Sequence, residues 1–262
     1  MMKTEFELRK SGRCWEAVLV APEGKPPTLD FESMGQLQEL VANVESALES
    51  GDEDAPSCLV IGSSSERCFC AGANIAILDT LSGETMSDWI TMGHAVLNSL
   101  EDLPIPVIAK VRGYALGGGL ELALACDLIV CDETAQLGLT EANMGFVPGW
   151  GGTYRLPGRI GAARAKRLFY AAKIVDSAEA LSMGLVDEVL ESEKMDCWLD
   201  AFSREVELKS SVGIRGFKSI LNAGERAARQ ASLDAEVAQS LLCIEDADTK
   251  KRIREFLDKR KK

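Results

Sequence analysis

This 262-residue chain predicts an α/β core followed by a helical C-terminal region. Three observations carry that reading. Short apolar runs of strand length occur at 58–62, 105–111 and 128–131, bounded by turn residues. A unit of strand, small-residue turn and helix recurs, at 59–62 and again at 107–111, as stacked β/α turns would require. Beyond about Lys194 glycine becomes sparse and helical patterning takes over. The boundary is therefore placed there, with an α/β core at 1–194 and a helical region at 195–262.

Taken in order, Phe6-Glu7-Leu8 and Ala17-Val18-Leu19-Val20 read as antiparallel strands around a turn at Ser11-Gly12. The proline-rich stretch 22–27 is a loop. Met34, Leu37, Leu40, Val41, Val44 and Leu48 form the apolar stripe of a helix capped by Asp30 and ended near Gly51. A buried strand at 58–62 leads to Cys68-Phe69-Cys70-Ala71-Gly72-Ala73, read as a small-residue turn, and a helix follows at about 85–100. The run at 105–111 is a second buried strand, followed by a glycine turn and a helix starting Leu120-Glu121-Leu122-Ala123. Strands at 128–131 and 135–139 precede Glu141, Pro148-Gly149-Trp150-Gly151-Gly152-Thr153 opens a further helical region, and 185–190 is the last strand.

The totals exclude several function classes. Hydrophobic residues make up 46% and charged residues 27%, enough for a full core. A net charge of −12 disfavours a nucleic-acid surface, which needs clustered Lys and Arg. The first residues contain no apolar secretory stretch, and no segment has the length of a membrane span. The eight cysteines form no C-x-x-C pair and read as reduced thiols of a cytoplasmic protein. The expectation is neither a nucleic-acid nor a membrane partner, and no metal.

Chemistry concentrates at 112–127, R-G-Y-A-L-G-G-G-L-E-L-A-L-A-C-D. Three glycines between a strand and a helix let a ligand approach the backbone and leave N–H groups free to meet it. They are not a phosphate loop. Gly119 is followed by Leu120-Glu121 rather than G-K-[ST], and a run of three glycines lacks the G-x-G-x-x-G spacing. His94 is the single histidine, so a multi-histidine zinc site is excluded, and it reads as a surface or packed residue. Two carboxylates remain, Glu121 one turn into an apolar helix and Glu141 after a short strand. Burial raises a carboxylate pKa toward the range useful for acid–base work. Spacing alone leaves structural roles open for both.

Three ordered motifs, F-C-A-G-A-N-I at 69–75, G-Y-A-L-G-G-G-L-E-L-A-L-A-C-D at 113–127 and L-G-L-T-E-A-N-M-G-F-V-P-G-W-G-G-T at 137–153, resemble those of the enoyl-CoA hydratase/isomerase (crotonase) superfamily. The likeness runs over nearly the whole chain, and R-E-F-L-D-K-R-K at 254–261 resembles the family's ending. The resemblance implies a spiral of repeated β-β-α turns with a helical C-terminal trimerisation region. It implies an oxyanion hole from the Ala73 and Gly118 N–H groups and the two hydratase glutamates at Glu121 and Glu141. Glu141 would exchange the C2 proton and Glu121 would help activate water. Ala71 would meet the CoA adenine, Gly72, Ile75, Gly117 and Trp150 would border the acyl-CoA, and Phe256 and Lys259 would lie on a helix reaching a neighbouring subunit's CoA.

The implied partners are an acyl-CoA substrate and copies of the same chain, as a homotrimer or a dimer of trimers, with no cofactor apart from the CoA of the substrate. Departures are Asn74, where the family usually has aspartate, Thr28, where many members carry asparagine, and Trp150, where a small residue is usual. The leading expectation is reversible hydration of a 2-enoyl-CoA. Double-bond isomerisation or malonyl-type decarboxylation is the alternative within the family, and a non-catalytic CoA-binding protein is the alternative outside it.

Overall fold

The chain begins with a hairpin, β1 (Glu5–Ser11) paired antiparallel to β2 (Cys14–Val20), turned by Gly12 at φ 56°. The computed structural model describes residues 3–51 and 54–259. Helix α1 (Phe31–Ser50) starts at a capping box: Ser33 N donates to Asp30 Oδ1 at 2.9 Å and Asp30 N donates to Ser33 Oγ at 2.8 Å.

From there the chain alternates between two sheets. β3 (Cys58–Ser63) belongs to the first and β4 (Cys68–Cys70) to the second, followed by α2 (Ile75–Leu78) and α3 (Gly83–Asp102). β5 (Val107–Val111) and β6 (Tyr114–Leu116) repeat the step before α4 (Gly118–Leu124). β7 (Leu128–Asp132) and β8 (Gln136–Gly138) repeat it again, before a 3-10 turn at Glu141–Met144, α5 (Gly152–Ile160) and α6 (Ala162–Tyr170). β9 (Val175–Asp176), α7 (Ser177–Met183) and β10 (Glu188–Leu190) close the core. The six-stranded sheet runs β1-β2-β3-β5-β7-β10, parallel from β2 onward, and the four-stranded sheet runs β4-β6-β8-β9. This is the expected spiral of β-β-α turns.

Two stretches read as turns prove to be strands. Residues 68–70 and 114–116 are each three residues long and bordered by glycine or small residues, too short to show a period of their own. Only pairing with each other and with β8 makes them strands. The two-residue β9 was not anticipated, and the strand expected at 185–190 is paired only over Glu188–Leu190. The hydrophobic runs of the first sheet are continuous because both faces are covered. Leu59, Ile61, Val107, Ala109 and Ile129 face the main core. Cys58, Val60, Ile108 and Val130 face Met195 and Leu199 of α8 (Met195–Glu207).

After α8 come α9 (Ser211–Glu245) and α10 (Ala247–Lys259). The long α9 packs along α3, and Cys243, Ile244 and Ile253 join the same core as the spiral. Nearer its start, Val212, Phe217, Ile220 and Leu221 are exposed. Among the described residues no helix is long and apolar enough to cross a membrane. All eight cysteines are free.

Candidate active site

Each turn of the spiral delivers one backbone corner to the same place. The corner after β4 carries 71–75, the corner after β6 carries 117–121, and the corner after β8 carries Thr140 and Glu141. Their approach is close enough to require glycine. A Cβ on Gly72, at φ 90°, would lie 2.6 Å from Leu116 O and 3.0 Å from Gly118 N. A Cβ on Gly117, at φ 53°, would lie 3.2 Å from Glu141 Oε1.

Together these corners and α3 line a partly open cleft. Ala71, Gly72, Ala73, Ile75, Gly117, Gly118, Glu121, Glu141 and Trp150 all line it. Nine of the eleven positions that the resemblance implicated thus come together. Phe256 and Lys259 do not: Phe256 is half-buried on α10 and Lys259 is exposed. Their helix packs beside the Glu141 turn of its own chain, where Thr249 Oγ1 donates to Gly145 O at 3.2 Å. The rest of the basic tail, Arg260-Lys261-Lys262, lies outside the described residues.

Gly118 is the first residue of α4, so its N–H has no acceptor within the helix. Around Ala73 the bridge to Leu29 is made by its neighbours: Leu29 N donates to Gly72 O at 2.9 Å and Asn74 N donates to Leu29 O at 2.8 Å. That leaves Ala73 N out of the bridge. Asn74, the departure in the first motif, caps α2 by accepting from Ala76 N at 3.1 Å.

The two carboxylates are held differently. Glu121 is 2% exposed, and its Oε1 accepts from Trp150 N and Gly152 N, both at 2.8 Å. Burial, then the charges of Glu141 and Glu236, drive its pKa well above the usual carboxylate value against those two hydrogen bonds. Both carboxylate oxygens of Glu141 are buried and have no hydrogen-bond partner. Burial is the main reason its pKa is pushed up to about 7, with the charge of Glu236 adding to it. Of the two, Glu141 is thereby able to hold and exchange a proton near neutrality.

Trp150 is both core and wall. It is 2% exposed and packs edge-on against Trp89 with centroids 4.8 Å apart. A Cβ on Gly118 would come 2.5 Å from its ring, and one on Gly93 2.0 Å. The ring therefore fills the space under the glycine triplet. Met86, Trp89 and Ile90 of α3 and Ser240 of α9 also line the cleft. Sequence reading missed these four. The α3 residues carried only a core-like stripe, and Ser240 carried no local signal.

A family model described as enoyl-CoA hydratase/isomerase matches residues 36–262. The chain belongs to the enoyl-CoA hydratase/isomerase family. This family membership places it among enzymes that act on acyl-CoA thioesters. The chain is 34% identical over 210 residues to the crotonyl-CoA hydratase of Syntrophomonas wolfei subsp. wolfei, covering 80% of this chain and 81% of that protein. It is 43% identical to the mitochondrial methylglutaconyl-CoA hydratase of Homo sapiens over 133 residues, which span 51% of this chain and 39% of that protein. Among solved structures it is similar to Pseudomonas aeruginosa DspI, with a TM-score of 0.77 and 27% identity over 97% of this chain and 96% of that one.

Of the two readings left for His94, surface or packed, the structure takes the packed one. His94 is 1% exposed, and its Nε2 lies 2.7 Å from Glu236 Oε2 on α9. Glu236, also 2% exposed, had not been singled out. No local pattern marks it, because its partners lie 142 and 85 residues away in the chain. Among the described residues no group of His, Cys, Asp and Glu is placed to hold a metal ion.

Proposed function

We propose that the protein is an enoyl-CoA hydratase, adding water reversibly across the C2–C3 double bond of a 2-enoyl-CoA. The observation that carries the reading is the pairing of Glu121 and Glu141 in one apolar cleft beside the free N–H of Gly118. The thioester oxygen sits between the Ala73 and Gly118 N–H groups, which stabilise the enolate charge as it forms. One such donor contributes roughly 3–4 kcal/mol in comparable sites. Glu121, oriented by Trp150 N and Gly152 N, accepts a proton from the water whose oxygen bonds to C3. Glu141 gives its proton to C2, and the reverse transfers dehydrate the product.

The acyl group is uncharged. Among the described residues lining the cleft, Glu121 and Glu141 are the only charged ones, so no cation is present to pair with an acyl carboxylate. The acyl end is bounded by Met86, Trp89, Ile90, Phe146 and Trp150. Double-bond isomerisation is the second reading, because both oxygens of Glu141 are free to carry a proton between two carbons.

Hydration of crotonyl-CoA, followed by loss of the conjugated thioester absorbance, tests the proposal. Turnover should be seen with the wild type. Glu121→Gln and Glu141→Gln should each lower kcat by roughly 10²–10⁴-fold with a smaller change in KM. Loss of hydration in Glu121→Gln with 3-enoyl-CoA isomerisation intact identifies isomerisation as a separate Glu141-dependent activity. No turnover on any 2-enoyl-CoA of short, medium or aromatic acyl group rejects the hydratase assignment.

A further inference from the structure

The turn Trp150–Thr153 supplies four consecutive backbone N–H groups, and they are shared between two carboxylates in alternation. Trp150 N and Gly152 N donate to Glu121 Oε1. Gly151 N donates to Glu236 Oε2 at 2.9 Å and Thr153 N donates to Glu236 Oε1 at 3.3 Å. These groups open α5 and would otherwise lack partners. Here one helix of the core and one of the C-terminal region each take two. Glu236 is fastened further by Thr153 Oγ1, by Ser232 Oγ at 3.0 Å and by His94 Nε2.

Glu236 does not line the cleft, so it does not touch the substrate. Ser240, one helical turn further along α9, does line it. This face of α9 therefore backs directly onto the reaction site.

Burial would raise the Glu236 pKa, but the hydrogen bonds from His94, Thr153 and Gly151 and the charge of His94 outweigh it and hold the carboxyl below its ordinary value. An ionised carboxylate has no proton to give, so His94 Nε2 is the donor. The titratable and charged groups around it are His94 on α3, Glu121 on α4, Glu141 on the 3-10 turn, and Arg155 on α5, whose Nη1 donates to Trp150 O at 2.7 Å. From α9 itself the hydrogen-bonding neighbour is Ser232.

We infer that Glu236, held by His94, is a positioning residue for the reaction: it clamps the Trp150–Thr153 turn so that the alternate N–H groups of that turn fix Glu121. The inference rests on the hydratase reading for its kinetic consequence and on geometry alone for the clamp. It also assigns the C-terminal region a part in the chemistry, since removing one carboxylate on α9 frees a turn that orients a carboxylate on α4. The negative charge of Glu236 sits behind both cleft glutamates and favours their protonated forms, so it tunes the pair as well as placing one member.

The test compares the wild type with Glu236→Gln, which keeps size and one acceptor oxygen but removes the charge, and with Thr153→Val, a milder change that removes one hydroxyl donor. Two readouts are taken: hydration kinetics across pH, and amide hydrogen exchange of the peptide containing 150–153. Glu236→Gln should lower kcat about 10–100-fold with KM changed less than about threefold. It should move the pH limb of kcat/KM to lower pH and speed exchange of the turn by roughly tenfold or more. Thr153→Val should change each in the same direction by less. Glu236→Asp should return the limb toward the wild-type position without restoring kcat, because charge is kept and reach is lost.

Exchange at the turn unchanged in Glu236→Gln overturns the clamp. Faster exchange with kcat within twofold of wild type and an unmoved limb overturns its catalytic part. If Glu236→Gln does not fold, Thr153→Val decides by the same two readouts. If the wild type hydrates no enoyl-CoA, the hydratase reading fails, and the exchange readout still decides the clamp.

Discussion

Glu141 and Glu121 are two acids in one apolar cleft, and their protonation is set by surroundings that no single stretch of chain supplies. Glu141 is pushed up to about 7, so its proton is lost as pH rises through that range. In the hydration direction Glu141 must carry the proton destined for C2. The sign follows: kcat/KM for hydration should fall as pH rises through roughly 7, as macroscopic behaviour of the pair. Dehydration starts from the other tautomer of the same singly protonated pair, so its kcat/KM should follow the same pH profile. A pH–rate profile in both directions checks this, and a hydration kcat/KM that does not fall as pH rises through roughly 7 would remove Glu141 as the C2 acid. At this scale the sequence singled out both residues by type and motif. It did not show that one oxygen of Glu121 is tied to the backbone of residues 150 and 152 while Glu141 is untied.

The elements around the cleft are joined at the far end of α3. Glu101 Oε2 accepts from Arg155 Nε and Nη2 at 3.1 and 2.8 Å, and lies 3.2 Å from Arg229 Nη2 on α9. Arg229 Nη1 also donates to Asp102 at 2.8 and 2.9 Å. Both arginines are about 95% buried, so removing their shared partner takes the carboxylate from Arg155 and leaves Arg229 with Asp102. Glu101→Ala should therefore destabilise by roughly 3–5 kcal/mol, read by denaturant midpoint, whereas breaking an exposed pair such as Lys3–Glu32 should leave the midpoint almost unmoved. Helices α1 and α3 were legible because each carries a stripe of buried residues with 3.6-residue spacing. Strands β4, β6 and β9 were not, because two or three residues carry no period and owe their pairing to neighbours elsewhere in the chain.

Across the whole molecule, the buried acids couple stability to pH. A carboxyl whose folded pKa lies above its ordinary 4.5 binds its proton more tightly folded than unfolded. Its contribution is full below about 4.5 and is lost as pH rises through about 7. For Glu141 the loss is about 3 kcal/mol, visible as the difference in pH dependence between wild type and Glu141→Gln in urea melts. The exposed Val212, Phe217, Ile220 and Leu221 on α9 form an apolar face on a chain of net charge −12. The proposed occupant is another copy of the chain, in the trimer that the sequence resemblance implied. Sedimentation equilibrium should give three chains or a multiple of three, and Phe217→Asp with Ile220→Asp should lower that number. A monomeric wild type at micromolar concentration would overturn it.

The sequence by itself determined the fold class, the family, the glycine corners and the two glutamates that meet in the cleft. These are local in their chemistry: a glycine at a corner, an acid in an apolar helix and a motif of fixed spacing are all written in adjacent residues. Only the tertiary structure decided what surrounds them. It brought three successive corners of the spiral to one cleft, laid α3 along its acyl wall, and filled the space under Gly118 with Trp150. It also placed Glu236, far along the chain, behind the turn that holds Glu121. Such contacts are settled by packing between distant segments, where shape and desolvation act on groups that sequence order keeps apart.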